Sequence, residues 1–550
     1  MKINKIIWEQ KLIISVLIML LCPSSFFAQK PVPDTKSPKL IIGIVVDQMR
    51  ADYLERFKDK FSEGGFKRLM QQGLVCTNTN INYFQTVTAP GHAAIYTGTT
   101  PSINGIVEND WFDRRLGWTR YCVGDSTVKS VGTYSAAGMM SPRNLFSTTI
   151  TDQLRLAFNF KSRVVGISLK DRGAILPAGH SGKAFWLDYS NGKFITSSYY
   201  SDALPSWIND FNSRYLVQSY MCQKWNTLLP IEQYTESSAD DVPYEAPLHM
   251  AEARPVFPHD LNTYNRMDFD IISRTPFGNS LLKELALAAM TGDSLGKGNV
   301  PDFLTISFSS TDYIGHWFGI NSIELEDTYL RLDRDIAELL AFLDNNYGKD
   351  NVLVFLTADH GAANNTLYSH DHNLPGALFD GKSVIDSLSL FLNRTYGKGG
   401  FILDYINQSV YLDRAVISEK HLSVEEVEKS CVSFLSPLKG VANVTTSVSL
   451  ESCDSPFGYD KMIQRGYNKK RSGDVILTLM PGWMEWKATG TTHGSPYSYD
   501  THVPLIFYGW HVKSGVHDAP VSITDIAPTI SNLLHIQAPS GCTGTAIPVE

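Results

Sequence analysis

The chain has 550 residues, enough for one large α/β core with insertions or roughly three or four domain-sized units, and a small binding module is excluded. With 43% hydrophobic and 19% charged residues, 40 Gly and 26 Pro, it is neither disordered, collagenous nor a coiled coil. The 48 basic and 56 acidic residues leave a net charge of −8 and no footprint for nucleic acid, so any phosphate must be caught by a local site.

The first elements read as an address. Lys2, Lys5 and Lys11 precede or open onto an apolar run from Leu12 to Leu21, and small residues end at Ala28, so residues 1–28 read as a secretory signal peptide. The run falls short of the ~20 residues that a membrane-crossing helix needs, which implies export without a transmembrane anchor, most simply to a Gram-negative periplasm. A lipid anchor through Cys22 is disfavoured because Leu21 stands where a small residue is usual. Beyond residue 28 lie Cys76, Cys122, Cys222, Cys431, Cys453 and Cys542, none in a C-x-x-C pair, so they read as structural thiols with at most an occasional bridge.

Four apolar runs then each close on polar residues. Residues 39–47 end on Asp47, residues 164–172 on K-D-R, residues 303–312 on Asp312, and residues 352–360 on Asp359 and His360. Continuous β-branched runs argue for strands covered on both faces. Between them lie amphipathic helices, the clearest over 322–343 behind a capping-box-like Asn321…Glu324 start. Alternating strands and helices imply an α/β fold with a doubly wound, largely parallel sheet. Ligands in such sheets bind beyond the carboxyl ends of the strands, where these polar residues would converge.

Their chemistry is that of a two-ion site. Asp312 and His316 are four apart, so one helical face would present a carboxylate and an imidazole together. Asp359 and His360 are adjacent before Gly361; Asp47 and the glycine-flanked His493 complete three carboxylates and three imidazoles, enough ligands for two cations. Thr88 is the candidate nucleophile: residues 81–87 read as a strand, Pro90 suits a first helical turn, and a helix N-terminus beside a cation favours the alkoxide. His92, one turn later, reads as a supporting or packing histidine.

In order, the chain carries V-D-Q-M-R, T-x-T-A-x-G-H, G-x-x-x-N-D-W, S-L-K-D-R-G-A-I-L-P-A-G-H, S-T-D-Y-x-G-H, A-D-H-G, T-T-H-G and D-I-A-P-T. Together these motifs resemble the alkaline phosphatase superfamily, and more narrowly the exported bacterial alkaline phosphatases of the PafA type, over about residues 39–548. The resemblance implies two Zn2+ ions per chain, one held by Asp312, His316 and His493 and the other by Asp47, Asp359, His360 and Thr88, though other divalent metals suit the same ligands. It also implies that Asn109, Lys170 and Arg172 contact the phosphoryl oxygens. Lys170 and Arg172 alternating along an extended chain would offer an ammonium beside a guanidinium fork to a monoester dianion. The chemistry so implied is broad phosphomonoester hydrolysis through a phosphothreonine, with small-molecule phosphomonoesters as substrates and a monomer as the simplest assembly. The alternatives are a phosphodiesterase or sulfatase-like hydrolase on the same scaffold, or a relative that binds metal and anion without turnover.

Two competing features remain. His502 rivals His493 as third imidazole but borders the apolar run 503–508 and reads as a core-edge histidine. Residues 376–383 match G-x-x-x-x-G-K-[ST] literally, but no strand precedes them, and His370, Asp371 and His372 beside them read as an exposed loop. The expected organisation is a core over 39–172 carrying the nucleophile, an inserted cap over 173–300, core with metal ligands over 301–361, an accessory insertion over 362–475, and core again over 476–550 with the last ligand.

Overall fold

The computed structural model describes residues 37–550 apart from 250–251, 264–268, 453 and 456. The expected signal peptide with Cys22, and Cys453, therefore lie outside the described residues. Residues 38–550 form one compact unit.

Its centre is a sheet of ten strands among the described residues: β1 (Leu40–Val46), β2 (Leu74–Cys76), β3 (Ser130–Val131), β4 (Val164–Ser168), β5 (Lys183–Asp188), β6 (Lys193–Ser197), β7 (Asp302–Phe308), β8 (Val352–Thr357), β9 (Leu505–Gly509) and β10 (Gly515–His517). Their order is β10-β2-β9-β8-β1-β7-β4-β5-β6-β3. The five middle strands, β8-β1-β7-β4-β5, are all parallel; β9 and β6 flank them antiparallel. Every residue of β1, β4, β7 and β8 is buried, as their unbroken apolar runs require when both sheet faces are covered. Helix α1 (Thr88–Thr97) lies against β1 at Gly43, where an added Cβ would meet the Tyr96 hydroxyl at 2.5 Å and the Phe355 ring at 2.7 Å.

Several local expectations change. Residues 81–87 form no strand; they are an irregular lead into α1, with the Ile81 and Phe84 N–H groups given to the Thr501 and Met462 carbonyls of two helices rather than to a strand. Lys170 and Arg172 do not alternate on an extended chain: Lys170 caps helix α2 (Asp171–Ala178), and Arg172 is in its first turn. The long helix is α5 (Ile323–Asn346), following α3 (Phe277–Gly292) and α4 (Ser310–Phe318). Its N-cap is Ser322 rather than Asn321, with the Ser322 hydroxyl accepting from the Leu325 N–H at 3.1 Å.

The sheet also continues past the expected boundary at 172. β5 and β6 belong to it, and the apolar face of α3, with Leu281, Leu282 and Leu285, shares its hydrophobic core. A separate four-stranded antiparallel sheet, Ile402–Ile406, Ser409–Leu412, Val475–Leu479 and Val441–Thr446 in spatial order, has its own core with Leu388, Val427 and Leu477 and runs to Leu479, past the boundary at 475. The G-x-x-x-x-G-K-S match opens the helix Gly381–Tyr396, but the Asp380 carboxylate already accepts from the Ser383 N–H at 3.1 Å, and a negative group there repels phosphate. The five described cysteines are free thiols.

Candidate active site

Strands β1, β4, β7 and β8 all deliver their carboxyl ends to one side of the sheet, and the expected residues meet there. Asp47 follows β1, Lys170 follows β4, Asp312 and His316 sit one turn apart on α4 after β7, and Asp359 and His360 follow β8. The Asp312 Oδ1 lies 3.2 Å from His316 Nε2 and 3.6 Å from His493 Nε2. His360 Nε2 lies 3.4 Å from Asp47 Oδ1 and 3.7 Å from Asp359 Oδ2. The His360 and His493 rings stack at 3.5 Å, joining the two groups. Lys170 Nζ bridges them, at 2.6 Å from both Asp47 Oδ2 and Asp312 Oδ2.

The donor atoms fit divalent cations. Each imidazole has its Nδ1 engaged by a backbone carbonyl: Thr491 for His316 at 2.7 Å, Gly361 for His360 at 2.9 Å, Thr86 for His493 at 2.8 Å. That contact engages Nδ1 and aims Nε2 at the carboxylates, which leaves Nε2 as the ring atom a metal ion would take. Asp47 Oδ1, Asp359 Oδ2 and His360 Nε2 are buried atoms without a hydrogen-bond partner, and a shared cation relieves that cost. Two clusters of mutually close ligand atoms result, Asp47–Asp359–His360 and Asp312–His360–His493, with His360 in both. His316 completes the second through Asp312.

Charge is strongly redistributed in this buried cluster. Burial and Asp359 push the Asp47 carboxyl up; burial opposes ionisation of Asp312, yet His316 and Lys170 hold it well below the usual carboxylate range. Burial works against a charged His360, but Asp359 and Asp47 raise it to about 9. Burial, with His360 and His316 nearby, keeps His493 well below its ordinary value. Lys170 is raised despite burial because Asp312 and Asp47 face it.

Thr88 opens α1 and is 1% exposed, and His92 one turn on accounts for how the helix meets the cluster. The His92 Nδ1 is 2.9 Å from the Thr88 carbonyl and 3.2 Å from Asp359 Oδ2, and its Nε2 is 2.8 Å from Ser307 Oγ. At Gly91 a Cβ would meet the Asp359 carbonyl at 2.4 Å, so only glycine lets α1 approach the end of β8 this closely. Asn109 Oδ1 accepts from the Ala89 N–H at 2.9 Å, which orients the amide at the start of α1, and Asn109 lines the same cavity as His316 and His493. Arg172 Nη1 donates to the Tyr121 hydroxyl at 3.1 Å, while its Nε has no partner.

His502 is not among these residues; its Nε2 is 2.9 Å from the Thr77 carbonyl, next to β9. Three contributors escaped sequence reasoning. Gln48 has φ +63°, which turns its amide back so that Nε2 donates to Asp312 Oδ1 at 2.7 Å and its N–H to Asp359 Oδ1 at 3.2 Å. Glu108 accepts from the Asn109 N–H at 3.0 Å, and burial pushes its carboxyl up to about 8. Trp486 lies against His316 at 4.9 Å. Only Gln48 and Glu108 carried a sequence signal, adjacency to Asp47 and Asn109.

The model of the type I phosphodiesterase / nucleotide pyrophosphatase family matches residues 41–501. Alkaline phosphatase PafA of Elizabethkingia meningoseptica is 47% identical over 514 residues, 93% of this chain and 94% of that protein. Alkaline phosphatase PhoV of Synechococcus elongatus is 46% identical over 511 residues, 93% and 92% of the two chains. A protein of Myroides odoratus named calcium-transporting ATPase is 45% identical over 97% of this chain and 98% of its own; among the described residues here no helix is long and apolar enough to cross a membrane. The crystal structure of wild-type PafA superposes with a TM-score of 0.90 over 93% of this chain and 98% of that one. A second PafA structure, with a threonine, an asparagine, a lysine and an arginine substituted, does so equally, at 0.90. The chain belongs to the type I phosphodiesterase / nucleotide pyrophosphatase family and, within it, is a PafA-type alkaline phosphatase, an enzyme that hydrolyses phosphate monoesters.

Proposed function

We propose that this enzyme is an exported, broad-specificity phosphomonoesterase that works through a phosphothreonine on Thr88 and holds two divalent cations, zinc in preference. Asp312, His316 and His493 would hold one ion; Asp47, Asp359, His360 and Thr88 the other. The observation that carries this reading is the common orientation of His316, His360 and His493, each with Nδ1 on a carbonyl and Nε2 turned to a buried carboxylate. When bound, the cations supply the charge that makes a threonine hydroxyl nucleophilic and offsets charge on the departing oxygen.

The chain's own groups account for the rest. Thr88 gives its hydroxyl proton to solvent and its Oγ attacks phosphorus as the bond to the leaving oxygen breaks; the released alkoxide takes a proton from solvent. Water then attacks the phosphothreonine, the P–Oγ bond breaks, inorganic phosphate departs and Thr88 regains its proton. Burial of Thr88 at the first turn of α1 keeps the attacking oxygen beside the positive helix end. Asn109, tied to the Ala89 N–H, has its amide N–H groups left for the phosphoryl oxygens. Lys170 and Arg172 flank the start of α2 and supply ammonium and guanidinium charge. Export to a periplasm rests on the apolar run before Ala28.

Preference for monoesters follows from that charge. A monoester dianion offers more negative charge and one more free oxygen than a diester monoanion, so Lys170 and Arg172 favour it selectively. Replacing both with Ala is expected to depress kcat/KM for p-nitrophenyl phosphate by orders of magnitude and that for bis-p-nitrophenyl phosphate far less. Equal losses would assign the pair to support of Asp47 and Asp312 instead.

A further inference from the structure

The loop that carries Asn109 has two unlike shoulders. Downstream the chain pairs as a hairpin, Asp110–Asp113 with Trp118–Tyr121, and the Asn109 carbonyl accepts from the Cys122 N–H at 2.8 Å. Upstream, residues 105–108 are buried but belong to no strand; they leave the short helix Pro101–Asn104 at Gly105, where φ is +83°. Their buried backbone groups must find partners from other parts of the chain.

Arg471 supplies one, from the turn before the accessory-sheet strand Val475–Leu479. Its Nη1 donates to the Gly105 carbonyl and, at 2.7 Å, to the Asn144 carbonyl. The guanidinium also lies 4.8 Å from the centre of the Trp111 ring and 3.9 Å from that of Phe146. Gly105 and Trp111 stand on either side of Asn109, so one side chain grips both shoulders of the loop. At Gly105 a Cβ would meet Arg471 Nη1 at 2.8 Å and the Phe146 ring at 2.5 Å, so glycine admits this approach.

Stability of its own turn does not account for this guanidinium. The turn is closed by backbone, with the Arg471 and Ser472 N–H groups on the Asn468 carbonyl at 2.9 and 2.8 Å, and the Tyr411 hydroxyl donates to the Arg471 carbonyl at 3.1 Å. Arg471 is buried, its charge is met by carbonyls and ring faces, and burial, with Arg120 nearby, holds it below the usual guanidinium range. Burying such a charge away from a carboxylate costs free energy that an apolar side chain would not. Its contacts are spent on the Asn109 loop.

We propose that Arg471 is a positioning residue for Asn109, reaching from the accessory sheet to hold residues 105–111 so that the Asn109 amide keeps its place at the start of α1. The inference rests on the reading that Asn109 contacts the phosphoryl oxygens. Without the guanidinium the Gly105 carbonyl loses its donor and the upstream shoulder is free to shift, and small displacements of a group that orients substrate are felt steeply in the rate.

The test measures kcat/KM for p-nitrophenyl phosphate, with zinc content, in wild type, Arg471→Met, Arg471→Gln, Arg471→Lys and Asn109→Ala, and in each Arg471 variant combined with Asn109→Ala. Arg471→Met alone is expected to lose about tenfold at unchanged zinc content, and Arg471→Lys, which keeps the charge and a donor, to recover most of that. In the Asn109→Ala background the same changes should add less than about a twofold loss, because a residue that acts through Asn109 has nothing left to position. A loss that carries over undiminished into that background overturns the proposal, as does a loss that follows zinc content or full activity in Arg471→Met. Arg471→Gln, which keeps one donor, gives the same comparison if Arg471→Met does not fold. Full activity in Asn109→Ala alone is a separate outcome, which would withdraw the phosphoryl contact and the inference with it.

Discussion

Thr88 differs from the many buried threonines of this chain by where it stands: first residue of α1, its carbonyl on His92, with His92 in turn against Asp359. An ordinary hydroxyl is a poor nucleophile, and in the role proposed for Thr88 position would supply the activation. Thr88→Ala is therefore expected to remove the trappable phosphoenzyme and orders of magnitude of p-nitrophenyl phosphate turnover while zinc content stays near wild type, and Thr88→Ser should remain active. Near-normal turnover in the alanine variant would move the nucleophile elsewhere. The two competing histidines separate just as clearly. His493→Ala should lower zinc content, because its Nε2 faces Asp312, whereas His502→Ala, which loses only a contact to the Thr77 carbonyl, should cost about 1 kcal/mol of stability and leave zinc in place. Zinc loss confined to the His502 variant would reverse the assignment. Residue type made these candidates readable, since carboxylates and imidazoles at strand ends have few uses other than ligation and capping. Gln48 was not readable in the same way, because its contacts to Asp312 and Asp359 depend on a left-handed backbone that its residue type does not demand.

At the scale of elements, the caps are where local sequence and tertiary demand meet. The helix Ile150–Ala157 begins with a complete capping box, Thr149 with Asp152, and the same Asp152 also receives the N–H groups of His180 and Ser181 and the His180 ring at 3.0 Å. Burial works against a charged His180, but Asp152 raises it above its ordinary value. A raised folded-state value means that the ion pair adds stability in full below the unfolded histidine value, near 6.5, and loses that part as pH rises through the folded value. Asp152→Asn should therefore lower the melting temperature more at about pH 6 than at about pH 9, where the uncharged contacts, backbone N–H groups and the Ser181 hydroxyl among them, remain to be weakened. A pH-independent difference would show that His180 is uncharged throughout. Strand β1 and helix α5 were legible because their periodicity is strong. Residues 81–87 misled because a segment rich in aromatic and β-branched residues looks the same whether its N–H groups find a strand or, as here, helix carbonyls.

Over the molecule as a whole, three carboxylates, three imidazoles and Lys170 are gathered in a largely buried cluster that joins strand ends of β1, β4, β7 and β8 to the loop at residues 491–494. Such a concentration is tolerable because the charges compensate one another, and added cations compensate it further. Any ligand that binds only the folded state stabilises it, by about 2.7 kcal/mol at a hundredfold excess over Kd. Stripping the enzyme with a chelator is accordingly expected to lower its melting temperature and abolish turnover, with both restored by zinc. A melting temperature indifferent to chelation, measured with zinc content shown to fall, would count against the ligand set. The accessory sheet reaches the site at this scale too: its Asn407–Gln408 turn lines the cavity of His316 and His493 and is held there by Gln85 on the Asn407 carbonyl and Gln408 on Glu485.

Read alone, the amino-acid sequence determined the fully buried strands, the amphipathic helices and the residue types of the site, because burial on both faces and helical spacing leave patterns within a few residues of chain. It also determined that Asp47, Asp312 and Asp359 would share one end of a parallel sheet, since each follows such a strand. The tertiary structure decided what depends on contacts between distant segments: that β5 and β6 extend the sheet beyond residue 172, that Lys170 bridges Asp47 and Asp312, and that carbonyls of Thr86, Gly361 and Thr491 orient three histidine rings. A backbone carbonyl has the same chemistry in every residue, so no side-chain pattern announces which one will face a given imidazole.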